Sequence, residues 1–299
     1  MKRCLILMST YNGGKYLKEQ LDSLLNQKDV DVTIQIRDDK SNDDTLKILE
    51  DYSSKYKNIR FKVNEKNKGF TYNFIDNLFE KESKGYDYYA FSDQDDVWKE
   101  DKLIQAINKI EQMDSKLGCL YCSNLTLVDN NLSIIGYQEK KDISKKYYSG
   151  LASNIATGCT MVFDKTLYEK IIKIYPKDIY LHDYYIFLIA RYTASVYYDT
   201  NSYILYRQHN SNMIGSNKKL LSKNRFKNYI NPEHKTSTLV KTFYFNYKDD
   251  IRQKDKKYVE IAALYNVKFK YKLKLFFSYK IRKRRLNFMF KIQILLGKY

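Results

Sequence analysis

Three carboxylates fall within four positions, Asp93, Asp95 and Asp96, in the run Ser92-Asp93-Gln94-Asp95-Asp96-Val97-Trp98 that directly follows an apolar, strand-like segment. Like charges this close repel one another, and a hard divalent cation with oxygen ligands relieves the repulsion. Mg²⁺ or Mn²⁺ suits such a site. Mg²⁺ is commonly held by one or two carboxylates while substrate phosphates complete its shell, so two well-placed Asp suffice. The competing reading is an acidic cap on the helix that follows near Lys99.

Two further polar clusters have the same relation to an apolar run. Arg37-Asp38-Asp39-Lys40-Ser41-Asn42-Asp43-Asp44 offers a carboxylate that can accept a hydrogen bond from a pyrimidine N–H, although helix capping alone accounts for Ser41 to Asp44. Ser9-Thr10-Tyr11-Asn12-Gly13-Gly14 offers hydroxyls, a ring able to stack on a base, and adjacent glycines. It is not a G-x-G-x-x-G dinucleotide fingerprint, which counts against a dehydrogenase.

The elements that must position these clusters are apolar runs alternating with helical patterns. CLILMS, a helix over KYLKEQLDSLLNQ, VTIQI, a helix after Ser41, IRFKV, a helix from about Phe70 and YDYYAF read as β-α-β-α-β-α-β. Such alternation predicts a mostly parallel sheet flanked by helices, with ligands bound beyond the carboxyl ends of the strands. All three clusters lie at such ends. A helix near Lys99 to Met113 follows, then LGCLYCS and LTLVDNNLSII as strands with a turn at Asp129 to Asn131, CTMVF, and a helix over KTLYEKIIKIY. The composition shifts after about residue 215, so residues 1–215 are expected to form the catalytic domain and 216–299 a basic extension.

With 299 residues, 43% hydrophobic and 29% charged, the chain can bury a substantial core and is not a disordered segment. The first strand begins almost at Met1, with no secretory signal in front of it and no apolar stretch of spanning length, so a cytoplasmic location is expected. Four cysteines are too few to staple such a chain, and Cys119-x-x-Cys122 lies in a strand-like run without a partner pair, so no zinc or redox site is expected there.

The net charge of +18 is lopsided: residues 241–299 hold 17 Lys and Arg against 4 Asp and Glu. From Ile261 to Tyr299 there are 11 Lys and Arg, no acids, and interleaved Phe, Tyr, Leu and Ile. This pattern predicts peripheral association with an anionic membrane surface, where each basic residue contributes roughly 1 kcal/mol. Packing on the core, or on a second copy in a homodimer, is the alternative. Val267 to Leu275 shows a period of two, whereas Phe288, Ile292, Leu295 and Leu296 share a helical face.

STYNGGKYLKEQLDSLLNQ, RDDKSNDDT, NKGF and SDQDDVW occur in this order, and the ordered set resembles the family 2 glycosyltransferases. The later segments ATGCTMVF, HDYY and YRQHNSNMIG make the chain similar to a bacterial branch that includes rhamnosyltransferases of polysaccharide assembly. The resemblance covers roughly residues 3–215. It implies an A-type glycosyltransferase fold, Rossmann-like, with a mostly parallel mixed sheet flanked by helices.

The resemblance also implies roles. Tyr11 would lie beside the base, Asp39 would accept from its N3–H, and Ser9, Thr10 and Asn12 would assist. Asp93 and Asp95 match the D-x-D signature, with Asp93 near the ribose and Asp95 on a Mg²⁺ or Mn²⁺ ion bridging the diphosphate. Gly69 would allow a close turn near the nucleotide, and Asn73 matches a polar position beside it. Asp183 of His182-Asp183 would be the general base, His209 a metal or diphosphate contact, and Trp98, His182 and Arg207 acceptor or diphosphate contacts. A loop around Met213 to Lys219 would order when donor binds.

The activity so implied is single-displacement inversion. The sugar, rhamnose from dTDP-rhamnose first and a UDP-hexose next, would pass to a glycan or polyprenyl-diphosphate-linked acceptor in capsule or other surface polysaccharide synthesis, at the inner face of the cell membrane. A nucleic-acid-binding protein is disfavoured, because an acidic D-Q-D-D loop repels phosphates unless metal is present. A catalytically silent assembly partner is disfavoured by the intact motifs.

Overall fold

The computed structural model describes residues 1–138, 149–209, 236–279 and 284–299. In chain order its strands and α-helices are β1 (Lys2–Thr10), α1 (Leu17–Leu25), β2 (Val30–Asp38), α2 (Thr45–Lys55), β3 (Ile59–Val63), α3 (Phe70–Phe79), β4 (Tyr88–Ser92), β5 (Val97–Trp98), α4 (Lys102–Glu111), β6 (Cys119–Val128), β7 (Ile134–Tyr137) and α5 (Ser149–Ala152). They continue with β8 (Val162–Asp164), α6 (Lys165–Ile171), α7 (His182–Thr193), β9 (Ser195–Arg207), α8 (Thr236–Tyr247), α9 (Gln253–Ala263), α10 (Phe269–Ser278) and α11 (Arg284–Leu296). Contacts divide the chain into two units, one of Met1–Ser144, Ala156–Tyr175 and Ala194–Asn212, the other of Lys145–Ile155, Pro176–Thr193 and Met213–Tyr299.

The first unit is built on a nine-stranded sheet of order β3-β2-β1-β4-β8-β6-β9-β5, with β7 paired to β6. β3, β2, β1 and β4 run parallel, as the alternation of strand and helix requires, because each crossover helix returns the chain to the same end. Cys4 to Met8 in β1 are buried without exception, the continuous apolar run expected of a parallel strand covered on both faces. Leu17, Leu21 and Leu24 of α1 and Leu103, Ala106, Ile107 and Ile110 of α4 are buried with them at helical spacing.

Beyond β4 the sheet changes character. β8 joins β4 and β6 antiparallel, β6 and β9 pair in parallel, and two-residue β5 runs antiparallel to β9. β5 follows the D-Q-D-D run immediately, so the sheet grips that run at both ends: β4 before it and β5, tied to β9, after it. The two cysteines of the C-x-x-C spacing are buried in β6, where burial pushes both thiols up to about 12, which suits packed thiols and not ligands or redox groups.

The second unit is helical in its described residues. Every residue of α7 except Arg191 is buried. Tyr299 plugs the interior: its phenol donates to the Leu151 carbonyl, and the Tyr265 and Phe290 rings meet it edge-on at centroid separations of 5.2 Å. No helix among the described residues is long and apolar enough to cross a membrane.

Candidate active site

All three polar clusters come together in the first unit, at the carboxyl ends of β1, β2 and β4. β2 ends at Asp38, whose fully buried carboxylate accepts from Thr10 Oγ1 at 2.7 Å, Ser41 N at 2.7 Å and Ser41 Oγ at 2.6 Å. Asp38 therefore ties the β1 loop to the β2 loop, and Thr10 is spent on that tie. Asn12 stands at φ +48°; its Oδ1 accepts from Asn42 N, and its own N–H donates to Ser41 Oγ. Asp43 accepts from Gly14 N and Thr45 N at 3.0 Å each. Capping thus explains Asp43, while Asp44 makes no side-chain cap bond.

Asp39 is also buried, and its carboxylate holds the following loop. Oδ1 accepts from Asn64 Nδ2 at 2.7 Å and Lys68 N at 2.8 Å, and Oδ2 accepts from Gly69 N at 2.8 Å. A carboxylate has about four lone-pair sites, so one on Oδ2 remains for a ligand N–H. Gly69, at φ +78°, starts α3, and this conformation strains any residue with a Cβ. Asn73, fully buried one turn on, donates to Ser9 Oγ at 2.6 Å and the Arg37 carbonyl at 2.7 Å and accepts from Asn64 Nδ2. Ser9, Asp39, Gly69 and Asn73 form one set bonded through Asn64, and Tyr11, two residues after Ser9, is 48% exposed.

Gln94 ties the acidic run to the loop after β1. Its Oε1 accepts from Tyr11 N at 2.8 Å and its Nε2 donates to the Tyr11 carbonyl at 3.1 Å. A Cβ on Gly13 would stand 2.2 Å from Gln94 Oε1, so the glycine makes room for the lace. From below, Gln20 of α1 donates to Ser92 Oγ at 2.7 Å.

Asp93, Asp96 and Cys159 bring ligand atoms within 4.8 Å of one another, and Asp95 Oδ2 lies 2.8 Å from His209 Nε2. Burial pushes the Asp95 carboxyl above the usual range, with His209 working against it, and pushes Asp96 well above, aided by the charges of Asp95 and Asp93. One buried and two half-buried carboxyls this close in sequence need protons or a cation, and carboxylates with an imidazole form a donor set that suits a hard divalent ion. Cys159 suits such an ion least, because a sulfur ligand favours softer metals than Mg²⁺ or Mn²⁺; without a cation, burial and the nearby carboxylates hold its thiol well above normal.

Three expected contacts take other roles. Trp98 is buried in the core, with Lys102 Nζ 3.1 Å from its ring centroid, so no acceptor reaches it. Arg207, only 1% exposed, donates to the carbonyls of Asp95 at 2.9 Å and Asn130 at 2.6 Å and to Glu19, and its guanidinium stacks on Tyr16 at 4.4 Å. It shapes the acidic run from behind instead of meeting a diphosphate. His182 is buried at the start of α7, where burial lowers it to about 3, so its imidazole is neutral and offers a diphosphate no charge. Asp183, in the same first turn, accepts from Tyr184 N at 2.6 Å. The Met213 to Lys219 loop lies outside the described residues.

Gln94, Asp38, Asn64, Gln20 and Glu19 were not singled out from the sequence. Gln94 had a signal, an amide in the middle of three carboxylates; the others join the site through partners 25 to 188 positions away, Asn64 to Asp39 and Glu19 to Arg207 at the extremes, which no local pattern shows.

Comparison with known proteins identifies the family and the fold. A family model described as "Glycosyl transferase family 2" matches residues 5–172. The dTDP-rhamnosyl transferase RfbG of Shigella flexneri is 36% identical over 224 residues, covering 70% of this chain and 74% of that protein. The crystal structure of S. aureus TarS 1–349 aligns with TM-score 0.59 at 18% identity, covering 96% of this chain and 77% of that one. A mannosyltransferase from Pyrobaculum calidifontis, solved with GDP-Man and Mn²⁺, aligns with TM-score 0.55 at 11% identity, covering 99% and 85%. The two structures share the A-type fold with this chain. The chain belongs to glycosyl transferase family 2 and is a glycosyltransferase of that fold.

Proposed function

We propose that this enzyme is an inverting, divalent-metal-dependent transferase that moves rhamnose from dTDP-rhamnose to a glycan, free or carried on a polyprenyl diphosphate, in the synthesis of capsule or another surface polysaccharide. The observation that carries the nucleotide part is the joining of Tyr11 to the D-Q-D-D run through Gln94, and of Asp39 to the same β1 loop through the Thr10 carbonyl, at the carboxyl ends of β1, β2 and β4. The choice of rhamnose rests on the 36% identity to the Shigella flexneri rhamnosyl transferase. A UDP-hexose is the second choice, since S. aureus TarS has been solved with UDP-GlcNAc.

In this reading the base stacks on Tyr11 and its N3–H donates to the remaining site on Asp39. Asp93 meets the ribose; Asp93, Asp95 and His209 would hold Mg²⁺ or Mn²⁺. When bound, such an ion would offset the negative charge that builds on the diphosphate as it leaves. Asp183 takes the acceptor proton as the acceptor oxygen attacks the anomeric carbon on the face opposite the diphosphate, so configuration inverts in one step. An ordinary carboxylate suffices as this base at neutral pH, because orientation supplies much of the rate.

Thermal stabilisation by a panel of nucleoside diphosphates and their sugars, with Mg²⁺, Mn²⁺ or EDTA, tests this. Thymidine and uridine diphosphates should stabilise in the presence of metal and dTDP-rhamnose more than other donors. Stabilisation by purine nucleotides alone would overturn the assignment of Asp39.

A further inference from the structure

α10 and α11 each turn an apolar stripe outward. On α10, Phe269 (75% exposed), Leu273 and Phe277 (67%) recur every four residues, while Tyr271 and Leu275 on the opposite side are buried. On α11, Phe288 (63%), Leu295 and Leu296 are exposed with half-buried Ile292 among them, while Met289, Phe290 and Ile294 are buried. Lys272 Nζ donates to the Leu295 carbonyl at 2.7 Å, and Lys291 Nζ sits 5.0 Å from the Phe276 ring centroid. Position 272 facing 295 and 276 facing 291 makes the helices antiparallel.

At about 100° per residue, each stripe lies on the same rotational side of this seam. In antiparallel neighbours that puts both stripes on one side of the helix pair, as a single apolar surface. Its borders are basic: Lys268, Lys270 and Lys274 are exposed along α10, Lys272 and Lys291 lie at the seam, and no Asp or Glu occurs from Ile261 to Tyr299. In sequence, five more Lys and Arg fall within 280–285.

We propose that α10 and α11 dock the enzyme on an anionic lipid bilayer, with Phe269, Leu273, Phe277, Phe288 and Leu295 inserted at the level of the acyl chains and the lysines on the headgroups. An apolar stripe edged by Lys is the composition of a helix that lies in the interface plane. A second copy of the chain fits less well, because an isologous contact would set the exposed Lys268, Lys270 and Lys274 of one copy on the same like-charged surface of the other. The proposal draws on the transferase reading only for its use, which is to hold the enzyme beside a lipid-linked acceptor.

The test is flotation of the full chain with vesicles of phosphatidylglycerol and phosphatidylcholine, against phosphatidylcholine alone, with light scattering for mass and thermal melting for fold. Wild type should float only with the anionic vesicles. The triple variant Phe269→Gln, Phe277→Gln, Phe288→Gln should lose binding at least tenfold with an unchanged melt, and Lys270→Gln with Lys274→Gln should weaken it and lower its salt dependence. Absence of flotation, equal flotation of the triple variant, or a wild-type dimer that the triple variant dissociates would each overturn the proposal. Nucleoside diphosphate release, measured on the same preparations, separates this outcome from that of the transferase reading: flotation without release overturns only the latter, and release without flotation only the former.

Discussion

Gln94 hydrogen-bonds both backbone polar atoms of Tyr11, accepting from its N–H and donating to its carbonyl. The residue whose ring is assigned to the base is thereby fixed by the residue between the carboxylates assigned to the ribose and the metal. Gln94 is a positioning residue by this account.

Gln94→Ala should raise KM for the donor by about tenfold, the worth of one to two net hydrogen bonds, with a smaller change in kcat. Gly13→Ala should act in the same direction by displacing the amide. Steady-state kinetics of both variants checks this; an effect confined to kcat would contradict it.

Asp39→Asn should be costlier than a lost ligand contact. The carboxylate accepts from Lys68 N, Gly69 N and Asn64 Nδ2, and an amide cannot accept at both ends, so a buried N–H loses its partner. A loss of about 1–3 kcal/mol in folding stability is expected, together with weaker nucleotide binding. Urea unfolding and nucleotide titration measure the two separately, and unchanged stability would show that the loop is held by other bonds.

The order of strands and helices through β4, and the place of the three polar clusters at strand ends, were legible in the sequence because each apolar run is short, bounded and followed by polar residues. The division of labour inside the clusters was not. Asp38 and Asp39 are adjacent carboxylates of equal chemistry, and only the fold turns one to Thr10 and Ser41 and the other to the Gly69 loop. Trp98 and Arg207 read as site residues because they flank the right motifs, yet their large side chains fill the support beneath it. The period of two from Val267 to Leu275 belongs to a helix: spacing by four is even, so 269/273 and 271/275 each form a helical face, and alternation alone does not separate strand from helix.

Lys102 should make stability depend on pH. It is 1% exposed, and burial lowers its ammonium from 10.5 to about 7. Between those values the unfolded chain holds a proton that the folded chain has released, so stability should rise with pH across that window, and below it the full cost of burying the charge applies. Lys102→Met should raise stability at neutral pH by on the order of 1–3 kcal/mol and flatten the dependence between pH 7 and 10. Melting curves across that range check the sign; a loss of stability would mean that the Trp98 face outweighs desolvation.

Asp183→Asn should lower kcat by about 10²- to 10⁴-fold with donor affinity little changed, as expected for loss of a general base. Transfer assays at saturating donor, paired with donor titration, check it. A comparable loss of donor affinity would assign Asp183 to the donor side.

Release of nucleoside diphosphate from dTDP-rhamnose tests the central claim most directly, with wild type and Asp95→Ala each assayed with Mg²⁺, with Mn²⁺ and with EDTA. Wild type should release dTDP with either metal and not with EDTA, and Asp95→Ala should release little under any condition. Release that persists in EDTA, or in Asp95→Ala at the wild-type rate, would contradict the metal-dependent transferase described here.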